Sequence, residues 1–297
     1  MQNLAVVFPG QGSQFPGMLD AWLSVDPYVG TLIEQGSDCL GYDMGKLIRG
    51  EMNDQLNLTR YTQPALLLTS FAIWSVLNAR TNCQVKLMAG HSLGEYTALL
   101  CAGTLSFEQA LKLVAKRGEF MQSCVAEGEG GMAVAIGLEN ATVEVICSDM
   151  QTQGKRISPA NYNAIGQVVV AGESSAINNF IDKAKSAGAK MAKRLPVSVP
   201  SHCMMMAPAS DALHAYLESI NLIAPLVIVL NNVDAKPHHG ATHMKEKLCQ
   251  QLIAPVQWVK TVNTFSDMGI TDALEIGPGR VLTGLCKRIN QSMQGWS

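Results

Sequence analysis

Gly90-His91-Ser92-Leu93-Gly94 is a G-x-S-x-G pentapeptide whose flanks suit a nucleophilic serine. Before it, Val85-Lys86-Leu87-Met88-Ala89 is a short, mostly apolar run of the kind that forms a buried strand. After it, Glu95-Tyr96-Thr97-Ala98-Leu99-Leu100-Cys101-Ala102 is a good helix former ended by Gly103. Strand, tight turn and helix make a nucleophile elbow. Glycines flank the serine because the turn is too sharp for side chains there, and the hydroxyl is held clear of the backbone. The Leu93 amide falls at the helix N-terminus, where an unpaired N–H can meet a developing oxyanion. The bare pattern also occurs in structural turns; the strand and helix around it favour catalysis at Ser92.

A serine nucleophile requires a base. His202, in Pro200-Ser201-His202-Cys203, sits at an extended-to-helical junction and is the best candidate. His91 belongs to the elbow itself and His214 lies mid-helix. His238, His239 and His243 fall in a polar stretch. His239 and His243 have the i,i+4 spacing of metal ligands, but no Glu follows as in H-E-x-x-H and Gly240 interrupts the helix, so a solvated loop is the better reading and no metal is expected. Cys203 is expected to be a small buried neighbour. Pro9-Gly10-Gln11-Gly12-Ser13-Gln14 presents backbone N–H groups cheaply. It lacks the lysine of a phosphate loop, and a second oxyanion donor is its better use. Arg117 rides on a helix opened by the capping signal Ser106-Phe107-Glu108-Gln109, where an arginine is ordinarily solvated.

The elements that must hold these groups follow from the apolar runs. Leu4-Ala5-Val6-Val7-Phe8 predicts a buried first strand. Residues 17–60 are polar and helical, Pro64 marks a helix start, and residues 65–77 form an apolar helix packed beside the elbow. After Glu127-Gly128-Glu129-Gly130-Gly131 the rhythm changes to strand (132–136), helix (141–150), extended chain (156–163), strand (167–172), helix (174–187) and extended chain (190–197). This β-α-β-β-α-β order is a ferredoxin-like unit. The expected organisation is a large domain of residues 1–125 plus 198–297 with a small domain of 126–197 inserted in it. Leu226-Val227-Ile228-Val229-Leu230 and, last, Ala273-Leu274-Glu275-Ile276 complete the strands.

Bulk composition narrows the function classes. The chain has 297 residues, 47 % hydrophobic and 15 % charged, enough for a large core. A net charge of −2 and a pI near 6.3 argue against a nucleic-acid protein. No Lys or Arg precedes Lys46, which argues against a secretory or mitochondrial leader. The longest apolar stretch is too short to span a bilayer. Eight scattered cysteines without a C-x-x-C pair are expected to be reduced thiols of a cytoplasmic protein.

Six blocks together closely resemble the malonyl-CoA:acyl carrier protein transacylases of the stand-alone fatty-acid synthesis type. They are Phe8-Pro9-Gly10-Gln11-Gly12-Ser13-Gln14, Gly90-His91-Ser92-Leu93-Gly94-Glu95-Tyr96, Lys116-Arg117-Gly118, Val199-Pro200-Ser201-His202-Cys203, Pro255-Val256-Gln257-Trp258 and Glu275-Ile276-Gly277-Pro278-Gly279. The resemblance spans essentially the whole chain, in order and spacing. It implies an α/β fold: a hydrolase-like large domain with a mostly parallel sheet and an inserted ferredoxin-like domain. It implies Ser92 as nucleophile, His202 as base, the Gln11 and Leu93 amides as oxyanion hole and Arg117 as the holder of a free carboxylate. The backbone carbonyl of Gln257 is implied to orient the histidine. Asn163 matches a family position near the site, although Ala164-Ile165 stand where the family has Ser-Pro. Met121, about one turn past Arg117, would bound the acyl pocket together with His91 and Asn163.

The activity implied is transfer of malonyl from malonyl-CoA to the phosphopantetheine thiol of acyl carrier protein, through a malonyl-serine, with no bound cofactor. The carrier protein would be an acidic, transient partner, met by Lys190, Lys193, Arg194, Lys287 and Arg288 or by none of these, since ordinary surface charge is as good a reading of each. The chain itself is expected to be a monomer with no nucleic-acid or membrane partner. The elbow alone leaves open an esterase or thioesterase, and a silent carrier-binding protein of the same fold. Methylmalonyl specificity also stays open.

Overall fold

Leu4 to Phe8 are five residues without a polar side chain. They form β1 (Leu4–Phe8), buried along its whole length. The computed structural model describes residues 3–81, 83–197 and 199–297, so the boundary expected at 197/198 abuts Ser198, which lies outside the described residues. After β1 come α1 (Asp20–Leu23), α2 (Tyr28–Leu40), α3 (Met44–Ile48), α4 (Thr59–Arg80), β2 (Val85–Gly90), α5 (Leu93–Cys101) and α6 (Phe107–Ser123). The chain then builds β3 (Gly130–Ile136), α7 (Asn140–Thr152), β4 (Ile157–Ala164), β5 (Gln167–Glu173), α8 (Ser174–Ser186) and β6 (Met191–Arg194). It closes with α9 (Ala207–Glu218), β7 (Ile228–Leu230), α10 (Gly240–Ile253), α11 (Trp258–Asp267), β8 (Asp272–Glu275), α12 (Val281–Ile289) and β9 (Gln294–Trp296).

The first sheet has the order β7-β2-β1-β8-β9, and every neighbouring pair is parallel. A parallel sheet is covered on both faces, so its central strands can be apolar throughout. Alternation along β1 shows this. Leu4, Val6 and Phe8 enter the core shared with α4, α5 and α6, whereas Ala5 and Val7 face Trp258, Val262, Phe265, Leu282 and Leu285 of α11 and α12. Phe8 lies opposite Gly90 in the β1–β2 register. The loop after β1 therefore leaves beside the elbow, at the carboxyl ends of the strands, where open parallel sheets bind ligands.

The second sheet is antiparallel, β4-β5-β3-β6, with the β-α-β-β-α-β order of a ferredoxin-like unit. One face packs on α7 and α8. The other carries Met132, Val134, Ala160, Val169 and Ala171 against Cys203. Cys203 is thus a packing residue, and the small sheet covers the loop that carries His202. Edge strand β4 is also stitched to the large unit: Tyr162 N–H donates to the Val256 carbonyl and Val256 N–H to that of Ala160, both at 2.9 Å.

Several details differ from the sequence reading: β7 is shorter than residues 226–230, and Gly240 opens α10 rather than interrupting a helix. Pro64 is the sixth residue of α4 rather than its start. A proline this near the N-terminus forfeits one backbone bond, to the Arg60 carbonyl, while Thr62 Oγ1 anchors the first turn on the carbonyls of Leu56 and Leu58. The last strand is β9, not residues 273–276. Gln294-Gly295-Trp296 has no apolar alternation because it is an exposed edge that pairs only with β8. Helix α6 starts as expected, with the reciprocal capping box of Ser106 and Gln109.

The elbow glycines are required by proximity. A Cβ on Gly90 would stand 1.8 Å from the Gly94 carbonyl carbon, and one on Gly94 would stand 2.0 Å from the Phe8 carbonyl oxygen. Both obstacles are backbone and cannot swing away. Gly94→Ala is therefore expected to destabilise the protein by at least ~3 kcal/mol, the upper range for overpacking. Denaturant unfolding of the variant checks this.

Candidate active site

Ser92 is the residue between β2 and α5 and holds φ 54° and ψ −107°. A side-chain-bearing residue in such a region is strained, typically by about 1–3 kcal/mol, and needs its surroundings to hold it. Its N–H donates to Asn232 Oδ1 at 2.6 Å, and Asn232 Nδ2 donates to the Gly90 carbonyl at 2.6 Å. The Leu93 amide is the first of α5 and has no helical partner. Neither it nor the Gln11 amide donates to another described residue. Both residues line a cleft of about 330 Å³ between the two sheets. The Gln11 side chain is tied back, Nε2 to Thr59 Oγ1 at 3.2 Å.

His202 is buried and lies 2.8 Å from Ser92 Oγ through Nε2. The other ring nitrogen, Nδ1, is 2.7 Å from a backbone carbonyl, and this corrects the sequence reading: the carbonyl is that of Gln251, not Gln257. The Gln257 carbonyl instead accepts from Thr261 within α11. The reason is local. In a continued helix the Gln251 carbonyl would accept from residue 255, but residue 255 is proline and has no N–H. Proline also pushes Ala254 into extended conformation, φ −120° and ψ 150°, which ends α10. The orphaned carbonyl accepts the Nδ1 proton, leaving the Nε2 lone pair for the Ser92 hydroxyl. Burial first, then the Arg117 cation, lowers the histidine to about 3, so it is neutral at physiological pH.

Arg117 departs from the ordinary solvated arginine. It is 1 % exposed. Gly118 lets α6 approach closely, since a Cβ there would meet Thr59 O and Arg60 Cα at 2.8 Å. Nη1 donates to Gln63 Oε1 at 2.8 Å; Nη2 donates to Gln251 Oε1 at 2.9 Å and to Ser92 Oγ at 3.3 Å. The guanidinium carbon sits 5.0 Å from the centre of the Tyr96 ring. No described carboxylate lies within ion-pair distance of it. Burial lowers its pKa.

Met121, His91 and Asn163 all line the cleft. The Met121 sulfur accepts from Gln63 Nε2 at 3.3 Å. His91 Nε2 meets Asn163 Oδ1 at 2.8 Å, joining the elbow to the small sheet. Ala164 is buried at the end of β4, and Ile165, 76 % exposed, occupies the hairpin turn with Gly166 at φ 70°. His238 corrects its reading as part of a polar stretch: Nε2 is 2.9 Å from Glu95 Oε1, and both side chains are fully buried.

Sequence reasoning missed Gln63, Gln251, Asn232 and Glu95. Signals existed for two of them. Glu95 is a charge in an otherwise apolar helix, and Pro255 four residues after Gln251 announces a free carbonyl. Gln251 is the junction: its Oε1 accepts from Arg117, and its Nε2 donates to Glu95 Oε2 at 2.7 Å and to the Ser92 carbonyl at 3.0 Å. Gln251→Leu would leave a buried guanidinium N–H without its acceptor and take one of two donors from a buried carboxylate oxygen. It is expected to cost about 2–4 kcal/mol in denaturant unfolding.

Known proteins share this arrangement of chain. An acyl transferase domain model matches residues 5–295. The malonyl CoA-acyl carrier protein transacylase of Salmonella typhimurium is 47 % identical over 289 residues, covering 97 % of this chain and 93 % of that protein. The Bacillus subtilis protein of the same name is 37 % identical over 294 residues, covering 99 % and 92 %. The structure of the malonyl CoA-acyl carrier protein transacylase (fabD) from Coxiella burnetii superposes with a TM-score of 0.96 at 44 % identity, over 99 % of this chain and 93 % of that one. A malonyl-transacylase solved in complex with its type II PKS acyl-carrier protein superposes with a TM-score of 0.97 at 47 % identity, over 99 % and 95 %. A chain so similar from end to end belongs to the acyl transferase family, in the branch of the malonyl CoA-acyl carrier protein transacylases.

Proposed function

We propose that this enzyme transfers malonyl from malonyl-CoA to the phosphopantetheine thiol of an acyl carrier protein, for fatty acid synthesis, through an ester on Ser92. One observation carries the choice of acyl group: a buried guanidinium without a carboxylate partner stands 3.3 Å from the nucleophile. A lone buried cation is costly, and a ligand carboxylate would compensate it with two parallel hydrogen bonds. Gln63 and Gln251 hold the guanidinium by neutral oxygens, which orient it without cancelling its charge.

The steps follow from the geometry. Ser92 Oγ attacks the thioester carbonyl carbon while His202 Nε2 takes its proton. The oxyanion is met by the Leu93 and Gln11 N–H groups, each of a kind worth about 3 kcal/mol. Collapse breaks the C–S bond, the imidazolium protonates the CoA thiolate, and malonyl-serine remains. The carrier thiol then gives its proton to His202, attacks the ester carbon, and Ser92 leaves with that proton. Ping-pong kinetics follow.

A histidine lowered to about 3 is a weak base. The malonyl carboxylate changes this, because on Arg117 it cancels one of the charges that hold the imidazole down. Basicity then arrives with the substrate that carries a carboxylate. Carrier docking is expected on exposed Lys190, Lys193 and Lys287. Arg194 is engaged by Ser174 Oγ and the Gly130 carbonyl, and Arg288 by Gln167 Oε1. A cytoplasmic monomer fits this reading, and no described helix is long and apolar enough to cross a membrane.

The central test incubates the protein with malonyl-CoA or acetyl-CoA and follows Ser92 by mass spectrometry before and after carrier protein is added. A malonyl adduct that moves to the carrier is expected; an adduct lost only to water, or formed equally from acetyl-CoA, argues for a thioesterase. Arg117→Ala is expected to lower kcat/KM for malonyl-CoA roughly 10²- to 10³-fold and to raise acetyl transfer relative to malonyl transfer. For pH, the sign follows from the neutral base. Activity falls only as His202 gains a proton, so the acid limb of kcat/KM, which reports the free enzyme, lies well below the ordinary histidine range. The limb of kcat, which reports the loaded enzyme, lies at higher pH, and the kcat/KM limb moves upward in Arg117→Ala.

A further inference from the structure

Behind the nucleophile lies a buried polar network that the reaction steps do not use. Its centre is Asn232, 1 % exposed, just past β7. The carboxamide reaches both sides of the elbow. Oδ1 accepts from Ser92 N–H and Nδ2 donates to the Gly90 carbonyl, each at 2.6 Å. This is the amide orientation that pairs donor with acceptor at both ends. Neither aspartate nor leucine of similar size can do so. The backbone of Asn232 is itself held from two directions. Its N–H donates to Glu95 Oε2 at 2.9 Å, and its carbonyl accepts from Gln257 N–H at 2.8 Å. Glu95 is fixed by His238 and Gln251, and Gln257 follows Val256, which is paired to β4.

We propose that Asn232 is a positioning residue for acyl transfer: its carboxamide clamps the elbow so that Ser92 stays in its positive-φ conformation, with the Ser92 N–H turned away from the oxyanion site. The proposal rests on Ser92 being the nucleophile. It accounts for three features together. Ser92 adopts a backbone conformation that side-chain-bearing residues avoid, without glycine at that position. The Ser92 N–H is consumed, which leaves the Leu93 and Gln11 amides to face the cleft. A charged residue, Glu95, is buried in α5, where its carboxylate gathers the Asn232 N–H, the His238 ring and the Gln251 amide rather than any group that meets substrate. The clamp sets the direction of the hydroxyl, and it has no direct hydrogen bond to Arg117, which recognises the acyl group; the two share Gln251, whose Nε2 is 3.4 Å from Asn232 Oδ1.

That separation defines the experiment. Wild type, Asn232→Ala and Asn232→Asp are compared for KM of malonyl-CoA, for the single-turnover rate of malonyl-enzyme formation, and for sulfonylation of Ser92 by a small uncharged sulfonyl fluoride. Acylation is expected to fall about 10²-fold or more in Asn232→Ala, as displacement of a nucleophile does. Sulfonylation should fall with it, and KM should stay within about threefold. Asn232→Asp, which keeps the acceptor and loses the donor, should fall between. An alanine variant that acylates within about threefold of wild type, or that loses activity through KM alone, overturns the proposal. A second measurement is independent of turnover. Ser92→Gly is expected to raise the melting temperature while Asn232 holds the elbow, and to raise it less in the Asn232→Ala background, where the turn has already relaxed. Equal gains overturn the clamp. Where the alanine variant does not fold, the same comparison is made with Asn232→Asp. Absence of a malonyl ester on wild-type Ser92 would instead sink the nucleophile assignment, and the melting comparison would still decide the clamp.

Discussion

A buried positive charge that no described carboxylate pairs is the constraint on which the rest of this site depends. Taking a guanidinium out of water costs several kcal/mol even after relaxation. Arg117 is kept there by two glutamine oxygens and the face of Tyr96. Each contributes dipole or quadrupole attraction, and none neutralises the charge. A carboxylate in the position of Gln63 or Gln251 would stabilise the free protein and occupy the guanidinium. The cation also acts on the base: after burial, it is the next cause that lowers His202.

The second constraint is backbone geometry at Ser92. The helix after it must begin at once if the Leu93 amide is to face the cleft, and β2 must end close against β1. Gly90 and Gly94 meet these demands by having no Cβ, because backbone atoms occupy the space a Cβ would need. Ser92 cannot be glycine, so the strain left there has to be held by something else. Gln251 and Asn232 reach the elbow from α10 and β7, and Glu95 joins them from behind. The site groups and their supports therefore come from the loop after β1, α4, the elbow, α6, the His202 loop, the segment past β7 and α10, and the fold brings them together.

The chemistry was legible where it depends on local sequence. The elbow showed in a strand, two glycines and a helix; the capping box of α6 showed in Ser106 and Gln109; the two-sheet organisation showed in the change of rhythm after Gly131. The errors lie where a residue's partner is distant. Gln257 stood for Gln251 because the six-residue difference matters only once His202 is folded against the end of α10. His238 passed for a polar-stretch residue because Glu95, which buries it, is 143 positions away. Pro64 was placed at a helix start because proline prefers that site, and nothing local shows that α4 begins five residues earlier.

The sequence by itself determined the strands other than the edge strand β9, the elbow, the proline that frees a carbonyl, and the presence of a hydroxyl, an imidazole and a guanidinium. These follow from steric rules and apolar periodicity, which act over a few residues. Tertiary structure alone decided that Arg117 is buried rather than solvated, that the histidine's partner is Gln251, and that amides instead of carboxylates surround the cation. Burial and electrostatics depend on which atoms meet across the core, and those atoms come from segments 49 to 134 residues apart.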